Sequence, residues 1–270
     1  MFEAWLLETK AALADAEAAG ERPAPYAVNL VVHPSNPRMA GDLDLCVKHQ
    51  VPIVLTSKGA PTDAFDRIHD YGGVAFHDVA SKRHAEKAVA AGADAVIAVC
   101  GGAGGHTGTI NPFALVNEIR EVTDKPIILA GGMSEGKDIL AAEAMGASMV
   151  YMGTHFIATE ESLAPAAYRD SLLQHGANDI FFTAALDGAP ANWIAPSIVA
   201  AGLDLDVLAT TRPGEIMSAQ QVRERYKGIW SAGHGIGAVK AVRPMTEVVN
   251  EVVAQYEAAR AAFSSRLAAP

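Results

Sequence analysis

HAEKAVAAGADAVIAV (residues 84–99) and LAAEAMGASMVYM (residues 140–152) are two copies of one short phrase. In each, an alanine-rich helical stretch ends at a glycine, Gly92 or Gly146, and an apolar run follows two residues later. Glycine just past the last helical turn adopts the left-handed conformation at little steric cost. Each phrase therefore reads as helix, turn, strand, the repeating unit of a β/α barrel. Working outward, apolar runs at Ala27–Val32, Pro52–Thr56, Gly73–His77, Ala95–Val99, Pro126–Ala130 and Ser148–Met152 predict six strands. Helices predicted near 40–49, 61–71, 81–91, 111–123 and 136–145 alternate with them. The strand runs are rich in Val, Ile and Ala without clean alternation, which predicts burial on both faces and a parallel sheet. An α/β chain of this rhythm is either a doubly wound sheet or a (β/α) TIM barrel.

A closed barrel needs eight strands and about 200–250 residues. Here six strands are visible, the rhythm stops near residue 165, and the chain opens on an Ala/Glu-rich helical pattern, Met1 to Gly20. The expectation is an α/β TIM barrel incomplete at its N-terminus, lacking one strand–helix–strand of about 30 or more residues, from a late start or a truncation. Such a barrel would leave an open seam of strand edges. Residues 1–165 then form the barrel portion. Residues 166–232 form a cap or insert over the active site, helical at Ala164–Gly176 and irregular over Ala177–Ile229 except for a helix at 218–227. Residues 233–270 contribute a glycine loop and a last barrel helix, Pro244–Arg266.

Half of the 270 residues are hydrophobic, enough for a sizeable core. The formal net charge of −10 disfavours nucleic acid and anionic membrane as partners. No apolar run reaches membrane-spanning length, and the first 20 residues lack the basic start and apolar centre of a signal peptide. The two cysteines, Cys46 and Cys100, have no zinc-site spacing and read as reduced thiols of a cytoplasmic protein. The remaining histidines share no metal-ligand spacing, so no metal is expected.

Three glycine clusters carry the chemistry. Gly131-Gly132 follows the strand PIILA and precedes a helix that Ser134 is placed to cap, and Gly153-Thr154 follows SMVYM. Loops after the last two strands of such barrels recurrently bind phosphate. Glycines let the backbone approach an anion, and N–H groups at a helix start favour it. The third cluster, Gly101-Gly102-Ala103-Gly104-Gly105-His106-Thr107-Gly108, follows AVIAV and fits neither a P-loop nor a GxGxxG register. His106 lies at a strand C-terminal end, where barrel enzymes keep their active sites, and suits a base or hydrogen-bond donor. Asn29, inside an apolar strand, reads as a buried amide that must be satisfied and could face a heterocycle. Ser57-Lys58 and His77-Asp78 also stand at strand ends. Gly233-His234-Gly235-Ile236-Gly237-Ala238 matches a loose dinucleotide fingerprint with no βαβ unit around it. It reads instead as a close-approach loop reaching the active site.

AVNLVV, PIVLTS, HDV, GGAGGHTG, ILAGGMSEG, MGASMVYMGTHFIAT, ANWIAPSI and GIWSAGHGIGAVK, in this order, resemble the nitronate monooxygenase (2-nitropropane dioxygenase-like) family from about Ala27 to the end. The resemblance implies an FMN-dependent (β/α) barrel that oxidises alkyl nitronates or nitroalkanes with O2 to a carbonyl compound and nitrite. It implies that Asn29 contacts the FMN ring, that Gly131, Gly132, Gly153 and Thr154 hold the phosphate, and that His106 is catalytic, with Gly104 and Gly105 lining the cofactor site. A homodimer is expected from the same resemblance. Asp78, Val99 and His234 depart from residues that some members carry at those positions, which puts the substrate in question more than the cofactor. Competing readings are an NAD(P)H-dependent flavin reductase of quinones or enoyl compounds, a truncated barrel without activity, and an aldolase using Lys58 as its amine.

Overall fold

The computed structural model describes residues 1–59, 63–212 and 228–268. It divides into two compact units, Met1–Ile97 with Val122–Pro126, and Ala98–Glu121 with Ile127–Pro270. The main sheet consists of β1 (Ala27–Val31), β2 (Ile53–Ser57), β3 (Val74–Val79), β4 (Ala95–Val99), β6 (Ile127–Ala130) and β7 (Met149–Tyr151), hydrogen-bonded in that order. All six predicted strands are present, which establishes the α/β class.

In the first unit, β1, β2 and β3 pair in parallel with Ala27 opposite Ile53 and Ile53 opposite Val74. They are linked by α2 (Met39–Lys48) and α3 (Ala64–His69), and α4 (Lys82–Ala90) leads on to β4. Leu43, Cys46, Val54, Phe65, Ile68 and Ala85 are buried between helices and sheet. Ser81 caps α4 by accepting from the His84 N–H at 3.3 Å. Gly92 ends it at φ +100°, the left-handed value its sequence phrase requires. Helix α1 (Phe2–Ala18) buries only Leu6. Charge pairing holds its start: Lys48 Nζ and His49 Nε2 lie 2.7 and 2.9 Å from Glu3 Oε1, holding that carboxyl down at about 2.

The second unit contains the end of β4, β6 and β7. It also holds α5 (Pro112–Arg120), α6 (Gly136–Ala144), the short α7 (Thr154–Ile157) and α8 (Ala166–Gln174). Strands β6 and β7 pair in parallel, Ile128 opposite Met149 and Ala130 opposite Tyr151. Every residue of β6 is buried, as a central parallel strand requires, whereas Met149 and Tyr151 of the terminal strand β7 are exposed.

Residues 177–212 are more regular than their composition suggested. They hold β8 (Ile180–Thr183), β9 (Ala191–Ile194), α9 (Ala195–Ala200) and α10 (Leu205–Thr210). Strands β8 and β9 form an antiparallel pair, and β9 also pairs with β5 (Gly105–His106), giving a three-stranded sheet β5-β9-β8. Ala185, Leu186, Ala191, Trp193, Ile198, Leu208 and Ile229 build a separate buried cluster beneath it. The helix expected at 218–227 lies outside the described residues.

The final helix, α11 (Met245–Ala268), packs on α6. Gly136 makes this contact specific. A Cβ there would run into Val252 O and Tyr256 N of the α11 backbone, and the Gly136 N–H donates to Gln255 Oε1 at 2.8 Å. Any side chain at 136 would force the two helices apart.

Candidate functional site

The glycine clusters of the second unit lie at strand C-terminal ends. The β6–β7 ladder ends at Ala130 opposite Tyr151. Gly132 and Gly153 each stand two residues past the end of their strand. Gly131 and Gly132 have φ of +137° and +74°, values that only glycine adopts at ease. A Cβ built on Gly132 or Gly153 would meet no atom within 4 Å, so both backbones face open space. Gly131 has the opposite environment, since a Cβ there would stand 3.1 Å from Cys100 O and 3.2 Å from Ala103 N. Gly131 lets the β4 and β6 loops close on each other, and Gly132 and Gly153 offer backbone to a ligand. Thr154 Oγ1 accepts from the Gly233 N–H at 2.9 Å, which leaves the hydroxyl proton available to donate.

Ser134 does not cap α6. Its hydroxyl donates to Gly235 O at 3.0 Å, and Asp138 Oδ2 instead accepts from the Ser134 and Glu135 N–H groups, each at 2.9 Å. The N-cap position is Glu135, one residue later, and Asp138 at N3 reaches back to its N–H as in a capping box. The hydroxyl is thereby released to tie the 233–238 segment to the β6 loop.

That segment, a 3-10 turn over His234–Ala238, has the close-approach role its glycines suggested. A Cβ at Gly233 would stand 2.7 Å from Gly102 O, and one at Gly104 would stand 2.7 Å from Gly233 N. The His234 N–H donates to Gly102 O at 2.9 Å. The glycine loop, the β6 loop and Thr154 are thus all tied to one segment. Thr107 Oγ1 donates to Cys100 O at 2.8 Å, and buried Asn192 on β9 donates to Ala103 O at 2.7 Å. These bonds fix the path of the loop that carries His106.

His106 pairs with Ala191 in the β5–β9 ladder. Its Nε2 lies 2.6 Å from Asp187 Oδ2, with the imidazole 49% exposed and the carboxylate 18% exposed. The sequence reading passed over Asp187. The Asp187-Gly188 pair between the apolar runs IFFT and ANWI is a turn signal. A half-open imidazole backed by a shielded carboxylate can accept a proton, or donate a hydrogen bond to an anion.

The other candidates belong to the first unit. Asn29 on β1 is exposed rather than buried; among the described residues β1 ends the sheet, with β2 as its strand neighbour. Its Oδ1 accepts from Ser57 Oγ at 3.1 Å. Lys58 follows β2 in the left-handed region at φ +57°. His77 is buried, with Nδ1 2.7 Å from Thr56 Oγ1; burial and the neighbouring His84 push it down to about 4. Burial raises Asp78 to about 6.

These two shifts act oppositely on stability. The folded chain keeps a proton on Asp78 that the unfolded chain gives up between pH of about 4 and 6, so that contribution is lost as pH rises. The unfolded chain binds a proton on His77 between about 6.5 and 4 that the folded chain resists, so that contribution is lost as pH falls. Each is worth about 3 kcal/mol. In the parent they largely cancel. Asp78→Asn should therefore make stability rise by about 2–3 kcal/mol from pH 4 to 6, read as urea midpoints. A flat profile in that variant would mean that His77 is not held below its ordinary value.

Burial also pushes the Cys46 and Cys100 thiols up to about 12. No described helix is long and apolar enough to cross a membrane.

Comparison with known proteins places this chain in a family. The family model described as nitronate monooxygenase matches residues 2–255. A Rhodococcus jostii relative, named (3aS,4S,5R,7aS)-5-hydroxy-7a-methyl-1-oxo-octahydro-1H-indene-4-carboxyl-CoA dehydrogenase, is 31% identical over 166 residues, 62% of this chain and 46% of that protein. A nitronate monooxygenase of Paraburkholderia phytofirmans is 37% identical over 131 residues, 45% of this chain and 36% of that protein. The chain thus spans about half or less of the length of these two curated relatives. The solved structure of a nitroalkane oxidase from Streptomyces ansochromogenes superposes with a TM-score of 0.76 at 24% identity, over 92% of this chain and 84% of that one, and so shares the fold. With the family pattern matched from residue 2 to residue 255, this chain belongs to the nitronate monooxygenase family.

Proposed function

We propose that this chain is an FMN-dependent oxidoreductase that converts alkyl nitronates, with O2, to a carbonyl compound and nitrite. The observation that carries the reading is one segment, Gly233–Ala238, tying together the His106 loop and the open glycine ends of β6 and β7. In this reading the six parallel strands are six of the eight strands of a TIM barrel, and residues 166–232 cap its active site.

The residues present fit FMN. The Gly132 and Gly153 backbones face open space where a Cβ would otherwise stand, which suits the approach of a phosphate. With Gly131 shaping the loop, they and the Thr154 hydroxyl would hold the phosphate. Gly104 and Gly105 line the loop that carries the histidine, and Asn29 is assigned to the ring edge by family likeness. FMN, when bound, supplies the electron acceptor, and the protein supplies position and electrostatics. Protonated, His106 hydrogen-bonds the nitro oxygens of an anionic nitronate; neutral, it takes the carbon proton of a neutral nitroalkane.

A second reading, flavin-dependent reduction or dehydrogenation with NAD(P)H, is favoured by the Rhodococcus relative's dehydrogenase name. Nitrite release and oxygen consumption measured on the flavin-loaded chain with a preformed nitronate separate the two. Nitrite with matching oxygen uptake supports the first reading. NADH oxidation without nitrite moves the assignment to the second.

A further inference from the structure

We propose that Asp187 is the positioning residue of this site, fixing which nitrogen of His106 meets the substrate; this rests on the nitronate reading for the reaction, but not for the geometry.

The connection between β8 and β9 holds the carboxylate at both oxygens. Asp187 Oδ1 accepts from the Ala189 N–H at 3.1 Å, and Oδ2 lies 2.6 Å from His106 Nε2. The turn is anchored on either side. Ala185 and Leu186 are buried at 2% and 1% exposure, Gly188 closes the turn at φ +81°, and the Thr107 N–H donates to Pro190 O at 3.0 Å. The carboxylate is therefore placed by a packed turn, and the imidazole is placed by the β5–β9 ladder.

The chemistry follows from the donor and acceptor inventory. An ionised carboxylate only accepts, so Nε2 must carry the proton. In a neutral imidazole the acceptor lone pair then belongs to Nδ1. When a neutral nitroalkane meets this base, the α-carbon C–H bond breaks and its electron pair moves into the C=N bond of the nitronate. The proton goes to Nδ1, and Asp187 stabilises the imidazolium that results. A carboxylate behind a histidine fixes tautomer and orientation in this way in other enzymes and at metal sites. A preformed nitronate needs no proton removed and makes no demand on Nδ1 as a base.

Asp187→Asn tests this with almost no change of shape. The Ala189 N–H keeps the amide oxygen at the Oδ1 position, so the amide NH2 faces Nε2. It donates there, and the neutral ring must move its proton to Nδ1. Nitrogen-15 NMR of histidine-labelled chain, assigned with His106→Gln, should show a protonated Nε2 in the parent and an Nδ1-protonated ring in Asp187→Asn. Turnover of a neutral nitroalkane should fall about 10- to 100-fold, while turnover of the preformed nitronate falls far less. An Nδ1-protonated neutral ring in the parent, or an unchanged nitrogen pattern in the variant, overturns the proposal. So does an equal loss on both substrates. If the parent turns over neither substrate, the nitronate reading fails, and the NMR result alone decides the role of Asp187.

Discussion

His106→Ala should lower turnover of a neutral nitroalkane by about 10²- to 10⁴-fold, the range expected when a positioned acid–base group is removed. The same variant should stay yellow. His106 is 49% exposed and contributes little to the core, and its loop is held by other bonds. These are Thr107 Oγ1 to Cys100 O, Asn192 Nδ2 to Ala103 O and Thr107 N to Pro190 O. FMN content per chain, measured after gel filtration, should match the parent, and steady-state turnover should carry the whole loss. Unchanged turnover would make the histidine a structural partner of Asp187 and nothing more. Loss of flavin together with turnover would move His106 from chemistry to cofactor binding.

The second large effect concerns the phosphate cradle. Gly153→Val should fold like the parent and lose FMN. Gly153 has φ of −120° and ψ of −49°, outside the left-handed region that glycine alone favours, and a Cβ there meets no described protein atom within 4 Å. Among the described residues the added Cβ displaces nothing, which leaves a ligand as the group it is expected to displace. Gly132→Val should also release FMN, with an added stability cost because its φ of +74° strains any branched residue. Flavin affinity for Gly153→Val should drop by at least about 100-fold, the effect of losing about 3 kcal/mol of binding. Undiminished flavin occupancy at an unchanged melting temperature would place the phosphate elsewhere.

The fold was legible where one phrase repeats. Gly92 and Gly146 take φ of +100° and +97°, and the strands after them stand where the pattern put them. Local chemistry dictates these features, so sequence alone exposes them. Burial was less legible. Asn29 sits in an apolar run, yet it is exposed on a strand that, among the described residues, ends the sheet, which no local window reports. Ser134 looks like a helix cap in the sequence, but the helix starts one residue later, with Glu135 at the cap and Asp138 reaching back to its N–H. Asp187 is 81 residues from His106, and their contact exists only once the two-residue strand β5 pairs with β9. Long-range pairs of this kind leave no periodic trace. The Gly233–Ala238 segment shows the reverse case. A motif that resembles a dinucleotide fingerprint is explained instead by close backbone contact with Gly102 and Gly104.

The most direct test of the account is the visible absorption spectrum of the purified chain, recorded before and after adding an alkyl nitronate with oxygen excluded. The account predicts an oxidised-flavin spectrum that loses absorbance on nitronate addition and regains it when air is admitted, with nitrite in solution. A flavin spectrum indifferent to nitronate but bleached by NADH, or a chain that purifies without flavin and does not take up FMN, would contradict it.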